Sequence, residues 1–303
     1  MLLGMLCIAV VFGVWYLLTL GDAEERILSP GVLPSVQETF SSFHSLWFDR
    51  ALTRNTLASL QRVALGFGLA TIVGVPLGVL CGCFPWLSAF LAPATIFGRN
   101  IPVAALIPLT FSLFGIGEFQ KVMFIFVACI AFVVFDTARA IGEVDSRYID
   151  TAYTLGASRR QIILKVLVPL SLPSVFNSLR LLFGLAFGYI MLAELIKFGG
   201  SSGGLGDIIN TSLRRGLQTH IMLVLMIIPL VALGIDRLLF AIQHELFPYQ
   251  YGGAGILHKV VRWLLHGWEE FKSLFRRPTS YQELVRSGSP TSSSPAESAG
   301  AKP

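Results

Sequence analysis

Long apolar stretches, separated by short polar ones, account for most of the chain. A helix of about 20 apolar residues is long enough to cross the hydrocarbon layer of a membrane, which is about 30 Å thick. Residues 1–20 contain no charged side chain, and residues 63–98 contain none over a length too great for one crossing. Pro85 provides a break in the second stretch. The pattern predicts about six transmembrane helices, near residues 1–20, 63–84, 101–115, 122–135, 172–196 and 220–243.

The composition agrees with an all-α polytopic membrane protein. Only 14% of the residues are charged and 54% are hydrophobic, whereas a water-soluble domain carries about a quarter charged residues. The first stretch lacks the basic start, the shorter apolar region and the small-residue cleavage site of a secretory signal, so we expect a retained helix there. The net charge is +5. Because the basic residues do not cluster before the C-terminal tail, this excess indicates membrane topology and no nucleic-acid partner.

An even number of spans places both termini on one side of the membrane. With that side taken as the cytoplasm, fourteen Lys and Arg residues lie inside and eight lie outside. This bias has the direction of the positive-inside rule. We therefore expect a multi-pass protein with both termini in the cytoplasm.

Three regions follow one another along the chain. Residues 1–250 form the predicted transmembrane domain. Residues 251–278 carry apolar residues at helical spacing with Lys and Arg between them, which predicts an amphipathic basic helix on anionic membrane lipid. Packing against a partner subunit is the alternative for this helix. Residues 279–303, ending in SGSPTSSSPAESAGAKP, have little with which to build a core and are predicted to be disordered.

One polar hairpin interrupts the apolar pattern in mid-chain: DTAYTLGASRRQIILKVLVP at residues 150–169, which we call the elbow. Gly156 can adopt the left-handed conformation that ends a helix. Ser158 can cap the next helix, which we expect to run until Pro169 forces a change. Two short helices that meet at a glycine form a rigid corner, and such a corner can seat in a groove of a soluble partner. The charged residues expected at its tip are Asp150, Arg159 and Arg160.

The elbow resembles the cytoplasmic Glu-Ala-Ala loop of binding-protein-dependent ABC importer permeases. In that pattern an acidic-x-Ala triplet is followed four residues later by Gly, and then by aliphatic-x-aliphatic-Pro. The matching residues here are Asp150, Ala152, Gly156, Val166, Val168 and Pro169. The departure is Asp150, which is shorter than the usual Glu. The stretches LASLQRVALGFGLATIVGVPLGVLCG, NIPVAALIPLTFSLFGIGEFQKV and LPSVFNSLRLLFGLAFGYIMLAELI also resemble permeases of the nitrate, sulfonate and taurine type, so that the likeness covers roughly residues 30–250.

The resemblance implies a permease subunit in the bacterial inner membrane that moves a small solute, such as nitrate, bicarbonate or taurine, by alternating access. It implies three partners: an ABC ATPase that holds ATP and Mg, an extracytoplasmic solute-binding protein, and a second permease copy in a homodimer. The implied ATPase-coupling residues are Asp150, Ala152, Gly156, Ala157, Ser158, Arg159, Arg160 and Pro169. The sequence itself has no GxxxxGK[ST] motif. We therefore expect no cofactor and no enzymatic activity on this chain.

Polar residues inside the predicted spans need an account, because an ionisable group at the membrane centre costs about 2.5–3.5 kcal/mol on insertion scales. Arg180 is expected to reach the cytoplasmic surface or to bond within the bundle. Glu194, near the outer end of the same span, can pair with a base or line the translocation path. Asn100, Thr110 and Asn177 are further candidates for that path, although each can instead bond a neighbouring backbone group.

Two alternatives to a permease are an integral-membrane enzyme and an assembly scaffold without transport activity. GGSSGG matches GxSxG at Ser201 and Ser202, but a nucleophile motif needs a strand before it and a helix after it. The five histidines are scattered. A scaffold would leave the pattern of the elbow unexplained. The cysteines, predicted to be small buried hydrophobes, are Cys7, Cys81, Cys83 and Cys129.

Overall fold

A computed structural model describes residues 2–21, 26, 28–29, 31–196 and 203–251 of the chain. All regular secondary structure within these residues is helical. A 3-10 turn, Val103–Ala105, precedes α6, and a π turn, Ile163–Leu167, joins α9 to α10. The helices in chain order are α1 (Leu2–Leu18), α2 (Val36–Ser41), α3 (Phe43–Phe48), α4 (Leu52–Cys83), α5 (Pro85–Asn100), α6 (Leu106–Phe114), α7 (Glu118–Gly142), α8 (Ser146–Thr154), α9 (Arg159–Ile162), α10 (Val168–Leu195), α11 (Leu205–Arg214), α12 (Gln218–Leu246) and α13 (Pro248–Tyr251).

Four helical stretches are long and apolar enough to cross a membrane: α4, α7, the continuous stretch from α9 through α10, and α12. The pair Pro85–Asn100 and Val103–Phe114, bent by 93°, makes a fifth candidate span. The shorter apolar helix α1 stands at the first predicted span. The prediction of an all-α polytopic membrane protein is confirmed.

Two predicted helix boundaries were wrong. α4 begins at Leu52 and not near residue 63, because Arg62, whose charge appeared to end the apolar stretch, is buried and paired inside the protein. Pro85 breaks the second stretch as predicted, but the helix α5 follows it, in a segment for which no helix was predicted. Proline suits the first position of a helix, where a backbone N–H has no intrahelical acceptor. The third predicted span, 101–115, is therefore only the second arm of the bent pair.

α4 and α7 lie side by side and run in the same direction. Gly66, Gly74, Gly78 and Gly82 each lie against the residue 59 positions further along the chain, namely Ile125, Val133, Thr137 and Ile141. A Cβ atom on Gly78 would stand 2.5 Å from the Cβ of Thr137. This repeat of small residues on one face of α4 lets the two helices approach closely, as is common between membrane helices. The bent α5–α6 pair returns the chain between them.

α10 runs opposite to α4 and α7 and packs with them in the core, to which α11 and α12 also contribute buried residues. Glu194, in its last turn, bonds to Arg62 of α4, while Leu167, just before its first turn, belongs to a cluster with Ile141 of α7. We call the end where α4 and α7 finish the elbow end, and the end where they begin the far end. The largest buried core side chains between the two ends include Val63, Phe124, Ile125, Val133, Phe187 and Ile190.

Some of the predicted features fall outside the described residues. These are the amphipathic helix at 251–278, apart from Tyr251 at the end of α13, and the tail at 279–303. Ser201, Ser202, His258 and His266 lie outside them as well.

Candidate functional site

The elbow forms the predicted corner of two helices at a glycine. α8 ends at Thr154, and Gly156 has φ +78°, in the left-handed region. The Gly156 N–H donates to the Tyr153 carbonyl at 2.9 Å, and the Ala157 N–H donates to the Ala152 carbonyl at 3.0 Å. These two bonds make a Schellman motif, in which the left-handed residue satisfies the last carbonyls of the helix. The turn geometry predicted from Gly156 is present.

Both helices of the elbow have capped first turns. The backbone N–H of Ser158 donates to the side-chain oxygen of Gln161 at 2.8 Å, at the start of α9. Asp145 accepts the backbone N–H of Arg147 at 2.9 Å at the start of α8, a cap that the sequence reading missed. The guanidinium of Arg147 also bonds the Asp145 side chain and holds the pKa of that carboxyl below its usual range.

The apolar side of the elbow is fixed to the bundle. Ile141, Ile162 and Leu167 form a buried cluster at the elbow end. Apolar residues from α4, α8 and the corner pack around it: Val79, Cys83, Ile149, Ala152, Ala157 and Ile163. The corner is therefore seated directly on the ends of α4 and α7.

The outer side of the elbow is open. Leu155, next to the corner glycine, has 82% of its surface exposed. Asp150 and Arg160 are exposed on the same hairpin. Arg159 is also exposed, and its guanidinium lies 4.9 Å from the ring centre of Phe84. The elbow thus presents an apolar residue, an acid and two bases on a rigid support.

Pro169 does not end the second helix of the elbow, contrary to prediction. One helical stretch of 37 residues runs from Arg159 to Leu195. Pro169 cannot donate to the carbonyl four residues earlier, and the chain passes this region as a π turn, which accommodates the missing bond. Pro173 in turn has no N–H for the Pro169 carbonyl. The hydroxyl of Tyr249 donates to that carbonyl at 2.8 Å and replaces the lost bond.

A second polar site lies at the far end, where α4, α7, α10 and the start of α11 meet. The Glu194 side chain is fully buried, and its oxygens accept from Ser59 Oγ at 2.8 and 2.9 Å and from the Gly206 N–H at 3.1 Å. Arg62 Nη1 donates to the same carboxylate and to the Gly203 carbonyl at 2.9 Å. Ser59 also accepts the Leu205 N–H at 3.0 Å. These bonds fasten the turn before α11 onto α4 and α10.

The guanidinium of Arg62 holds a second carboxylate. Its Nε and Nη2 donate to the two oxygens of Glu118 at 2.5 and 2.7 Å, in the bidentate geometry typical of arginine and carboxylate. Lys121 Nζ lies 3.7 Å from the same Glu118 carboxylate. We call Arg62, Glu118, Lys121 and Glu194 the ion cluster. A cavity of about 630 Å³ lies beside it, lined by Arg50, Arg54, Asn55, Glu118 and Asp207 among others.

The four residues predicted for the translocation path do not form one group. Asn100 is exposed and bonds the Ile96 carbonyl at 2.8 Å. Thr110 is buried and accepts from Gln120 at 2.8 Å. Glu194 is in the ion cluster. Asn177 lines a polar cavity of about 550 Å³ between α7 and α10, nearer the elbow end, together with Asp136, Arg139, Glu143 and Ser178.

Arg180 bonds within the bundle, which is one of the two alternatives open from the sequence. Its Nε lies 2.9 Å from Asp236 of α12, and its Nη1 donates to the buried Gln243 at 3.1 Å. Within the residues that the structure describes, no three His, Cys, Asp or Glu side chains are grouped to hold a metal ion.

The sequence reading missed Ser59, Arg62 and Glu118 as site residues. A signal for two of them exists: Asn55, Ser59 and Arg62 are spaced by four and three residues, which places them on one face of a helix. The side-chain oxygen of Asn55 accepts the Gly204 N–H at 2.7 Å, so that all three side chains contact the 203–206 segment.

Comparisons with known proteins all match this chain to membrane components of transport systems. Residues 74–247 match the family model described as "Binding-protein-dependent transport system inner membrane component". A putative ABC transporter permease protein of Methanocaldococcus jannaschii is 30% identical over 78% of this chain and 88% of the relative. The taurine transport system permease protein TauC of Escherichia coli is 30% identical over 80% and 87%. The nitrate import permease protein NrtB of Synechococcus elongatus is 29% identical over 77% and 85%.

Solved structures of transporters share the fold. The MetNI methionine ABC transporter, solved in an inward-facing conformation, matches with a TM-score of 0.54 at 22% identity, over 66% of this chain and 98% of that one. An amino acid ABC transporter with histidines matches with a TM-score of 0.55 at 16% identity, over 65% and 94%.

Proposed function

Because this chain belongs to the family of binding-protein-dependent transport system inner membrane components, the permeases of ABC importers, we propose that it moves a small oxyanion or sulfonate across the membrane, driven by a separate ATPase that seats on the elbow. The relatives reported above are transport permeases, so that neither an integral-membrane enzyme nor a scaffold is favoured. ATP and Mg would be held by the partner chain.

The observation that carries the coupling proposal is the construction of the elbow. A docking surface that transmits force must be rigid on one side and accessible on the other. The buried Ile141–Ile162–Leu167 cluster provides the rigid side, and Leu155 with its exposed charged neighbours provides the accessible side. An exposed leucine beside charges of both signs fits a groove with an apolar floor and a polar rim.

The same helical stretch links the elbow to the ion cluster. From Arg159 to Leu195 it runs for 37 residues, which is about 55 Å at 1.5 Å per residue. A tilt imposed at the elbow end therefore displaces Glu194 relative to Arg62 of α4 at the far end. Opening and closing of the ion cluster in step with the ATPase would provide alternating access.

Further assignments rest on the family. The solute class follows the taurine, nitrate and bicarbonate permeases among the relatives. We assign the far end to the side of an extracytoplasmic solute-binding protein, and the elbow end, with both termini, to the cytoplasm. A second copy of this chain would complete the permease, and the two copies would enclose the path.

Replacement of Leu155 by Asp tests the coupling proposal. The change places a charge in the proposed groove contact and alters a side chain that is 82% exposed, so we expect membrane insertion to persist. Co-purification with the cognate ATPase and transport should be lost. Val32→Asp, at another highly exposed apolar residue next to a glycine but at the far end, is the matched control and should keep both. Retention of ATPase binding and transport by Leu155→Asp would refute the assignment.

A further inference from the structure

The ion cluster is unevenly divided between buried and exposed charges. Arg62 and Lys121 expose only 5% and 8% of their side chains, and Glu194 exposes none. The fourth member, Glu118, exposes 57%. The buried part of the cluster therefore carries two positive charges and one negative charge. Glu118, whose carboxylate comes from the surface, adds a second negative charge beside both cations.

The position that the Glu118 carboxylate occupies has the features of an oxyanion site. Two guanidinium N–H groups of Arg62 donate to the two oxygens of the Glu118 carboxylate, and the ammonium of Lys121 lies 3.7 Å from the same carboxylate. Planar and tetrahedral oxyanions can present one oxygen to each N–H group of an arginine fork, whereas a spherical halide offers both N–H groups a single acceptor centre, so we expect oxyanions to bind more strongly here. α7 begins at Glu118, and the partial positive charge of a helix N-terminus adds to the attraction for an anion.

Glu118 is placed so that it can leave this position. It is the first residue of α7, and the chain before it has two glycines at positive φ, Gly115 at +73° and Gly117 at +155°. Its surface faces the cavity of about 630 Å³ at the far end, which is large enough for a small oxyanion with water. Glu194, in contrast, is held by Ser59, Gly206 and Arg62 and has no exposed surface.

From this arrangement we infer that Arg62 and Lys121 form an oxyanion-binding site at the far-end mouth of the permease, and that Glu118 is a built-in competitor that fills the site when no solute is present. The inference rests on the proposed transport of an oxyanion or sulfonate, and it names the first residues of this chain to meet that solute. Exchange of the Glu118 carboxylate for a monovalent oxyanion leaves the charge of the buried cluster unchanged. The desolvation cost of the two cations is therefore offset in both states.

Removal of the competitor provides the test. The full-length chain is purified and reconstituted in nanodiscs of zwitterionic lipid, and its unfolding temperature is measured against sodium nitrate, sodium methanesulfonate and sodium chloride at constant ionic strength. For Glu118→Gln we expect nitrate and methanesulfonate to raise the unfolding temperature with a half-saturating concentration about tenfold below that of the wild type, because a charge-assisted carboxylate contact no longer competes.

Glu143→Gln is the matched control. Glu143 lies at the other end of α7, pairs with Arg139 and is 55% exposed, close to the value of Glu118. It should respond to each anion as the wild type does. An equal response of Glu118→Gln and Glu143→Gln, or a response to chloride as strong as that to the oxyanions, would overturn the inference.

Two further variants keep the test decisive. Lys121→Gln added to Glu118→Gln should abolish the gain in affinity, while Lys165→Gln, at an exposed lysine in the elbow, should not. If Glu118→Gln does not fold, Glu118→Asp against Glu143→Asp gives the same comparison, with an expected half-saturating concentration between those of the wild type and Glu118→Gln.

These measurements need no ATPase. A chain that transports but shows no oxyanion response contradicts this inference alone, whereas ATPase binding and transport that persist in Leu155→Asp contradict the coupling proposal alone.

Discussion

The two ends of the helical bundle differ in the burial of their charged residues. At the far end, the charges of Arg62, Lys121 and Glu194 are buried, and backbone groups of the 203–206 segment bond directly to Arg62 and Glu194. In the elbow, the charges are exposed, only the apolar side that faces α4 and α7 is buried, and the fold of the hairpin depends on caps and a glycine. The buried hydrogen bonds of the far end join parts of the same chain, whereas the exposed charged side chains of the elbow are accessible to another molecule.

This difference assigns separate tasks to the two ends. In the proposed cycle, opening the far end breaks the charge-assisted hydrogen bonds between Arg62 and the buried Glu194, so we expect closure to be the favoured state without a driving force. The elbow keeps its shape with or without a partner, because its contacts are with the ends of α4 and α7. The helical stretch Arg159–Leu195 connects the two. We therefore expect substitutions at the far end to change stability most, and substitutions in the elbow to change coupling most.

The largest effect is expected for Glu194→Ala. The change removes a buried carboxylate to which Arg62, Ser59 and Gly206 all bond, and breaking a buried ion pair costs about 3–5 kcal/mol. The free energy of unfolding in mixed micelles, measured with denaturant, should fall by that amount. Glu143→Ala removes an exposed ion pair from α7 and should cost less than about 1 kcal/mol. Similar losses for the two variants would mean that burial does not distinguish the cluster.

A smaller effect is expected for Gly156→Ala in the elbow. No atom lies within 4 Å of the added Cβ, so the cost comes only from the left-handed backbone, about 1–2 kcal/mol for a residue other than glycine. Unlike Glu194→Ala, it should increase hydrogen exchange in α8 and α9 and reduce ATPase coupling, with little change at the far end. Gly142→Ala, which also has an open Cβ position but no positive φ, is the control and should preserve both. Equal exchange in the two variants would contradict the role of the corner.

The smallest effect is expected for Tyr249→Phe. The variant keeps the ring and removes the hydroxyl that bonds the Pro169 carbonyl, at a cost of about 0.5–1 kcal/mol. Hydrogen exchange should rise in the first two turns of α10 and nowhere else. Tyr148→Phe, at another exposed tyrosine near the elbow end, should leave exchange in α10 unchanged. A uniform rise across the bundle would show that the hydroxyl has no local role.

The elbow was predictable from the sequence because its structure is local. Gly156 and Ser158 act on neighbours within five residues, and the bonds that they make are set by backbone geometry. Pro169 was misjudged for a tertiary reason: the π turn and the hydroxyl of Tyr249, 80 residues away, let a helix continue through two prolines.

The far end was not predictable in the same way because its bonds are long-range. Arg62 and Glu194 are 132 residues apart, and Arg62 was placed outside the membrane since its charge ended an apolar stretch. A charged residue that is paired inside the protein can be buried at membrane depth, but the sequence does not show that Arg62 is paired with Glu194. For the same reason α4 was predicted to be too short. α5 was missed because hydropathy gives no sign of a bend between two helical arms.

The central claim is that the elbow faces the cytoplasm and receives the ATPase, and residue-specific labelling tests it most directly. In a full-length chain whose four cysteines are replaced by alanine, Leu155→Cys and Val32→Cys are treated in intact cells with a membrane-impermeant maleimide. We expect Val32→Cys to react and Leu155→Cys to react only after permeabilisation, with protection when the ATPase is co-expressed. Reaction of Leu155→Cys in intact cells would place the elbow outside, beyond the reach of any ATPase, and would contradict the account.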